Sequence, residues 1–158
     1  MKKITALVLV LVLALSVFAC SGDPKPTQLG SSDLSIVLPD GYKSAEDDMD
    51  EDQVAYYYKD DDSVDFDVYQ WEKDSQYTLA AEAQIYATMY GAVATAVTVN
   101  EISGYKYVST ENYEGTDYTV VNYMFEDDTY IVEICFWTDG SDAENKVVND
   151  IINTLKKD

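Results

Sequence analysis

A chain of 158 residues with a formal net charge of −20 has room for one compact domain, and its charge repels phosphate backbones. It contains no histidine and no arginine, which removes the histidine bases, histidine metal ligands and guanidinium groups that serve most familiar enzyme sites. Hydrophobic residues make up 47% of it and aromatic residues 13%, as in a globular protein. We therefore expect a single folded domain that is not an enzyme and has no nucleic-acid partner.

The N-terminus has the pattern of an export signal. Two lysines precede an apolar run over 4–15, which is shorter than the roughly 20 residues that cross a bilayer. The following segment Val17-Phe18-Ala19-Cys20 resembles the bacterial lipobox, in which a small residue precedes a cysteine that is acylated. Residues 1–19 are therefore predicted to be a lipoprotein signal peptide, with Cys20 lipidated and anchored at the outer face of the bacterial cell membrane. Because Phe18 stands where a smaller residue is usual, ordinary signal cleavage is the alternative.

The next segment, 20–32, is polar and contains two prolines and two glycines. This composition predicts a flexible tether, so that the folded domain covers 33–158. If Cys20 is acylated, Cys135 has no disulfide partner within the chain. Cys135 lies in a run that favours a strand, where a cysteine is most often a small buried apolar residue. A catalytic thiol would need a cationic neighbour, and only lysines are available.

The first half of the domain is predicted to contain strands, then a helix. Alternation over 34–38 indicates a short strand, and 54–58 and 64–71 indicate a hairpin around an aspartate-rich turn. One face of its second strand is apolar and the other carries aspartates. A helix follows over 79–90, capped by a threonine and ended by Gly91. Its apolar stripe is predicted to be Leu79, Ala83, Tyr86, Met89 and Tyr90.

The second half is predicted to be an antiparallel sheet closed by a helix. Segments 97–99 and 105–113 are separated by Ser103-Gly104, and two longer strands follow over 117–125 and 129–138. Both faces of these longer strands are largely apolar or aromatic, which is typical of a central hairpin that is covered on both sides.

The closing helix has the clearest signals. Ser141 to Glu144 has the sequence of a capping box, an apolar stripe follows from Val147 to Leu155, and Lys156 and Lys157 stand at the negative end of the helix dipole. The predicted fold class is therefore α+β, with an antiparallel sheet of about six strands and helices on both faces.

Several short segments and their order resemble the PsbP-like fold family. They are Leu34–Tyr42, Thr78-Leu79, Gly104–Lys106, the hairpin over 118–136 and the closing helix that ends Thr154-Leu155-Lys156. The resemblance extends from Asp33 to Lys157. It implies an α/β/α sandwich around the antiparallel sheet and a role in binding partner proteins. Many bacterial members resemble small lipoproteins without an assigned activity.

Two acidic segments suggest a metal site, a loop over 46–52 and the cluster of Asp60–Asp62 with Asp65 and Asp67, but the hairpin turn explains the second without an ion. Asp48, Asp50 and Asp52 have the spacing of the first three ligands in a calcium loop. Gln53 replaces the glycine that the sharp turn needs, and Lys59 replaces the bidentate glutamate, so an EF-hand is excluded. A weak calcium site is then left beside the simpler interpretation of solvated charge, and we predict no cofactor.

The 14 tyrosines are the other unusual feature. Alternation places Tyr57 on the opposite face from Tyr56 and Tyr58, so these three cannot form one surface. Plain core packing explains most of these rings. Tyr57, Tyr69 and Trp71 are the best candidates for an exposed interaction surface, because aromatic residues bury a large area at a small cost in rotamer entropy.

These observations favour a membrane-anchored extracytoplasmic lipoprotein that acts as a non-catalytic protein-binding or accessory module. Its membrane contact is through Cys20, and its partner is an unidentified protein or cell-envelope component. One alternative is a low-affinity calcium-binding protein. The other is a carboxylate-dependent glycan hydrolase, which would need an aromatic-lined cleft holding two carboxylates whose pKa values are shifted in opposite directions.

Overall fold

The computed structural model describes residues 25–45, 49–60 and 64–158. The predicted signal peptide, the predicted lipidation site Cys20 and the candidate ligand Asp48 lie outside these residues. Within the described ranges, no helix has both the length and the hydropathy that a membrane span requires.

The described chain contains two helices and a series of strands. The helices are α1 (Leu79–Met89) and α2 (Asp142–Ile152). The strands are β1 (Pro26–Gln28), β2 (Leu34–Val37), β3 (Lys43–Ala45), β4 (Gln53–Tyr58), β5 (Asp65–Glu72), β6 (Thr95–Val99), β7 (Ile102–Tyr113), β8 (Thr116–Glu126), β9 (Tyr130–Thr138) and β10 (Lys156–Lys157).

The strands form two separate antiparallel sheets. The larger has seven strands in the order β3-β4-β5-β9-β8-β7-β6, and the smaller has three in the order β1-β2-β10. The α+β class and the antiparallel pairing agree with the prediction. The main sheet has seven strands where about six were expected, and the second sheet was not predicted: β2 pairs with β1 and β10 instead of joining the main sheet.

The segment predicted to be a tether over 20–32 is partly folded. Strand β1 lies inside it, and Leu29 has no exposed surface. Pro26 is tolerated because β1 is an edge strand, where a missing N–H breaks no ladder on its outer side. The folded body therefore begins before residue 33.

Local signals explain how both helices begin. The hydroxyl of Thr78 accepts a hydrogen bond from the N–H of Ala81 at the start of α1, and Gly91 follows the helix with φ of 69°. In α2 the hydroxyl of Ser141 accepts from the N–H of Glu144. The carboxylate of Glu144 accepts from the N–H of Asp139, so only half of the predicted capping box is present.

Other local predictions were wrong. The stripe of α1 does not extend to Met89 and Tyr90, which are 73% and 48% exposed. The turn between β6 and β7 is at Asn100 and Glu101, which both have positive φ, and not at Ser103-Gly104. The last two lysines belong to β10 and are not the end of α2.

The main hydrophobic core lies where α2 and the small sheet pack with one set of alternating side chains of the large sheet. Its larger members are Leu34, Ile36, Phe66, Phe125, Ile134, Phe136, Ile151 and Leu155. A smaller cluster contains Leu79 and Ala83 of α1 with Met124 and Ile131 of the sheet. Because Met124 and Phe125 are consecutive in a strand, they point to opposite faces. The face that carries Met124 is the one that carries the candidate site.

Candidate functional site

Four adjacent strands bring a row of polar side chains into register. Asp67 on β5 is paired with Cys135 on β9, Cys135 with Asn122 on β8, and Asn122 with Tyr107 on β7. Paired residues of an antiparallel ladder project to the same face of the sheet. Glu133 lies two positions before Cys135 and therefore also points to this face.

This row forms part of the wall of a cavity of about 380 Å³, which we call the acidic cleft. Six aromatic side chains line it: Tyr69, Trp71, Tyr86, Tyr90, Tyr107 and Trp137. Six carboxylates also line it: Asp50, Glu51, Asp52, Asp67, Glu111 and Glu133. No lysine is among the described residues that line the cleft.

A second cavity of about 550 Å³ adjoins the acidic cleft. The two cavities share Asp50, Asp67, Tyr69 and Trp137 as wall residues. The second cavity continues over β4 and the far ends of β7 and β8, where tyrosines form much of its wall. The same face therefore offers a continuous concave surface of aromatic rings and carboxylates.

Glu133 is the most deeply buried carboxylate of the cleft, with 5% of its surface exposed. The hydroxyl of Tyr107 donates a hydrogen bond to its Oε1 atom. Burial raises the pKa of Glu133 to about 7, because the charged form loses its hydration. The bond from Tyr107 works in the other direction, and the nearby charge of Glu111 raises the pKa further.

Asp67 is held by two side-chain donors. Nε2 of Gln53 donates to Oδ1 at 2.6 Å, and the indole Nε1 of Trp137 donates to Oδ2 at 2.7 Å. Burial raises the pKa of Asp67, while the bond from Trp137 lowers it and the charge of Asp50 raises it. The two hydrogen bonds therefore fix the orientation of the carboxylate. Because both donors are neutral, they do not compensate its negative charge.

Cys135 is paired with Asp67 across the ladder and lies two positions after Glu133 on β9. It is buried and forms no disulfide in the described part of the chain. Burial raises the pKa of its thiol well above the usual value, and the charges of Glu133 and Asp67 raise it further. The side chain is buried as predicted, but it lies in the cleft wall and not in the main core. A protonated thiol is a poor nucleophile.

Helix α1 forms another part of the wall of the cleft. The ring of Trp71 stacks on Tyr86 with centroids 5.2 Å apart, and its Nε1 donates to the carboxylate of Glu82 at 2.9 Å. Tyr90 at the end of the helix stacks on Tyr107 with centroids 6.3 Å apart. The helix thus presents aromatic faces to the cavity while its small residues pack on the sheet.

The residues predicted from the sequence to form an interaction surface do not share one. Tyr69 and Trp71 are half-buried and line the acidic cleft. Tyr57 is only 7% exposed and packs on Phe66 at a centroid distance of 4.9 Å, so its predicted exposure is wrong. The reason is the alternation of β4, which points Tyr57 into the main core.

The acidic loop reaches the edge of the same cleft. Asp50 and Asp52 are exposed and line its wall, whereas the third candidate calcium ligand, Asp48, is outside the described residues. In the described ranges, no group of three or more acidic or cysteine side chains is arranged to hold a metal ion.

Sequence reasoning missed the residues at the centre of the cleft. Tyr107, Asn122 and Glu133 were not singled out, although a signal for two of them is present. Asn122 and Glu133 are single polar residues inside apolar runs of β8 and β9. A buried polar residue in a central strand needs a partner, and this need indicates either a hydrogen-bond network or a site.

Comparisons with solved structures show the fold. The cyanobacterial PsbP of Synechocystis superposes with a TM-score of 0.68 at 10% identity, over 89% of this chain and 96% of that one. LpqN, involved in cell envelope biogenesis of Mycobacterium tuberculosis, gives 0.59 at 10% identity over 87% and 86%. The predicted PsbP-like fold is confirmed.

A structure from Bacteroides thetaiotaomicron is also similar, with a TM-score of 0.60 at 19% identity. The match covers 83% of this chain but only 49% of the Bacteroides protein, so this chain spans about half of that protein's length. No protein-family model and no curated protein matches the sequence.

Proposed function

We propose that this protein is a non-catalytic binding or accessory module of the bacterial cell envelope, whose ligand occupies the acidic cleft. Lipidated Cys20 anchors it to the outer face of the cell membrane. The main observation behind the proposal is the cleft itself. It is a concave site of aromatic rings and carboxylates on the face of the large sheet that is opposite to the main core. Concave sites of this volume with aromatic walls are typical of ligand binding.

The pKa values of the cleft carboxylates favour binding over hydrolysis. A glycan hydrolase needs one carboxyl group that stays protonated and another that stays ionised. In the cleft, the pKa values of Asp67, Glu111 and Glu133 are all raised, in each case mainly by burial. None of these three pKa values is lowered, so the opposed shifts expected for the hydrolase alternative are not found among these groups. The proposal therefore assigns no catalytic residue and no cofactor.

The layering of the fold is part of the proposal, because it keeps the cleft open on one side. Val148 and Ile151 of α2 belong to the same cluster as Val132, whereas α1 packs near Ile131. Consecutive strand residues face opposite ways, so the two helices cover opposite faces. Helix α1 covers only part of its face, and the acidic cleft occupies the rest.

One structural neighbour supports the envelope location. LpqN is described as involved in cell envelope biogenesis, and its fold covers most of this chain. The export signal and the lipobox-like segment at Cys20 predict the same compartment from independent features. A net charge of −20 favours a basic partner or a cationic envelope component.

Site-specific photo-cross-linking in cells tests this proposal. A benzophenone amino acid is placed at Tyr90, which lines the cleft and is 48% exposed, in the anchored full-length protein. The matched control places it at Tyr77, which is 53% exposed and outside the cleft lining. We expect reproducible capture of a defined envelope component from position 90 only. Equal capture from both positions, or none from position 90, would contradict the proposal.

A further inference from the structure

The charge of the acidic cleft is not compensated within the described parts of the chain. Its six carboxylates include Glu133 and Asp67, which are almost completely buried. The described salt bridges lie elsewhere, for instance between Lys73 and Glu126 and between Lys146 and Asp150. Crowded carboxylates without a cation are costly in a site of low dielectric constant. A positively charged occupant would remove this cost.

One carboxylate oxygen of Glu133 is available to a hydrogen-bond donor of a ligand. Tyr107 donates to Oε1, and among the described residues no group donates to Oε2. Glu133 is also a wall residue of the cavity, so a ligand in the cleft can reach it. A carboxylate oxygen has two lone pairs, and a charge-assisted bond is the strongest way to fill one. The occupant therefore carries an N–H donor as well as a positive charge.

The aromatic lining adds a preference for an organic ion. Two stacked pairs, Trp71 with Tyr86 and Tyr90 with Tyr107, stand around the cavity, and Trp137 completes the wall. The faces of these rings attract ammonium groups and also contact the methylene groups that carry them. A hydrated divalent metal ion would gain nothing from the rings, and a neutral sugar would leave the carboxylates uncompensated.

From these three observations we infer that the acidic cleft binds a primary ammonium group on a short carbon chain, with Glu133 as its main hydrogen-bond acceptor and the aromatic rings around its stem. This inference rests on the proposed function, because it takes the acidic cleft to be the binding site. It goes further by naming the chemical class of the ligand. A quaternary ammonium ion fits less well, since it has no N–H to donate to Oε2.

Tryptophan fluorescence reports directly on this cleft, because the chain has two tryptophans and both Trp71 and Trp137 line it. The purified full-length protein is titrated with butylamine at about pH 8, where Glu133 is largely ionised. Butanol, tetramethylammonium chloride and calcium chloride at matched ionic strength are the comparison ligands. We expect a saturable change with butylamine, none with butanol or calcium, and roughly tenfold weaker binding of tetramethylammonium.

A response to butanol or calcium equal to that of butylamine would overturn the inference, as would the absence of any saturable response to butylamine. These comparisons use the unaltered chain, so they do not depend on the folding of a variant.

Two variants with the same change of charge locate the site. Glu133→Gln keeps the shape of the side chain but removes its charge, and we expect it to weaken butylamine binding by roughly tenfold or more. Glu72→Gln alters an exposed glutamate at the end of β5, outside the cleft lining, and binding should be unchanged. Equal weakening by both variants would show that general charge, and not Glu133, attracts the amine.

The proposed function and the inferred ligand class can be contradicted independently of each other. If butylamine does not bind but position 90 still captures an envelope component, the ammonium inference is overturned and the proposed function stands. If butylamine binds but position 90 captures nothing, the ligand class stands and the proposed role as an accessory module is overturned.

Discussion

Glu133 is the residue on which the chemistry of the acidic cleft depends. It interrupts the apolar run of β9, faces the cavity together with Cys135, and receives a hydrogen bond from Tyr107. Its burial makes the charged form unfavourable and raises its pKa to about 7. The folded protein therefore holds a carboxyl group that gains or loses its proton near neutral pH. Its charge is available to a ligand at a cost in stability.

The first prediction concerns this cost. Because the pKa of Glu133 is raised from 4.5 to about 7, its protonated form stabilises the folded state below pH 4.5, and this contribution is lost as the pH rises through 7. Glu133→Gln resembles the protonated side chain at every pH. The variant and the wild type should be equally stable at about pH 4.5. Near pH 8 the free energy of unfolding of the variant should be higher than that of the wild type by up to about 3 kcal/mol.

Urea unfolding of both proteins at the two pH values measures this difference. Glu72→Gln serves as the control for the loss of one negative charge at an exposed position, and its effect on the free energy of unfolding should be small. A Glu133→Gln variant that is less stable than the wild type at the higher pH would contradict the prediction.

At the scale of elements, strand β7 positions much of the cleft. It carries Tyr107 and Glu111 and begins at the tight turn of Asn100 and Glu101. Gly104 lies inside this strand opposite Phe125 of β8, whose ring covers the space where a side chain would be. The glycine is therefore explained by close packing between strands and not by a turn.

The second prediction follows from this packing. A Cβ atom at position 104 would lie 2.4 Å from Cδ1 of Phe125 and 2.5 Å from the carbonyl oxygen of Met124. Gly104→Ala must displace both the ring and the backbone, and it should lower the free energy of unfolding by roughly 1–3 kcal/mol. Ser103→Ala, at the exposed neighbouring position, is the control and should change stability by less than about 0.5 kcal/mol. Equal stability of the two variants in urea denaturation would refute the packing explanation.

At the scale of the whole molecule, the small sheet and α2 complete the core on one side of the large sheet, and the acidic cleft is formed by side chains of the opposite face. The small sheet is tied to the rest by Asp127, whose Oδ2 accepts from the N–H of Asp33 at 2.8 Å. The same carboxylate closes the β8–β9 turn through the N–H groups of Thr129 and Tyr130. One side chain thus joins the central hairpin to the start of β2.

The third prediction tests how far the folded body extends toward the N-terminus. Leu29 is completely buried in the main core, although its segment has the composition of a spacer. Leu29→Ala should therefore lower the free energy of unfolding by roughly 2–5 kcal/mol. Lys25→Ala, at an exposed position before β1, is the control and should have little effect. Thermal or urea unfolding measures both. If Leu29→Ala left the free energy of unfolding unchanged, this segment would be a tether, as its composition predicts.

Features that depend on residues close together in the chain could be predicted from the sequence. The caps at Thr78 and Ser141, the hairpin of β4 and β5, and the α+β order are of this kind, because a cap or an alternation involves neighbours only. The same local reasoning misplaced the turn near Gly104 and the start of the domain near Leu29. In both cases a contact with a distant part of the chain determines the residue's role.

The acidic cleft could not be predicted from the sequence, because only the tertiary structure brings its side chains together. Asp67, Tyr107 and Glu133 are far apart in the sequence, and they meet because β5, β9, β8 and β7 are neighbours in a fixed register. A shift of one residue in any pairing would turn these side chains to the opposite face. Strand order and register follow from how the whole core packs, so no local pattern encodes them. The burial that raises the pKa of Glu133 exists only once that core has formed.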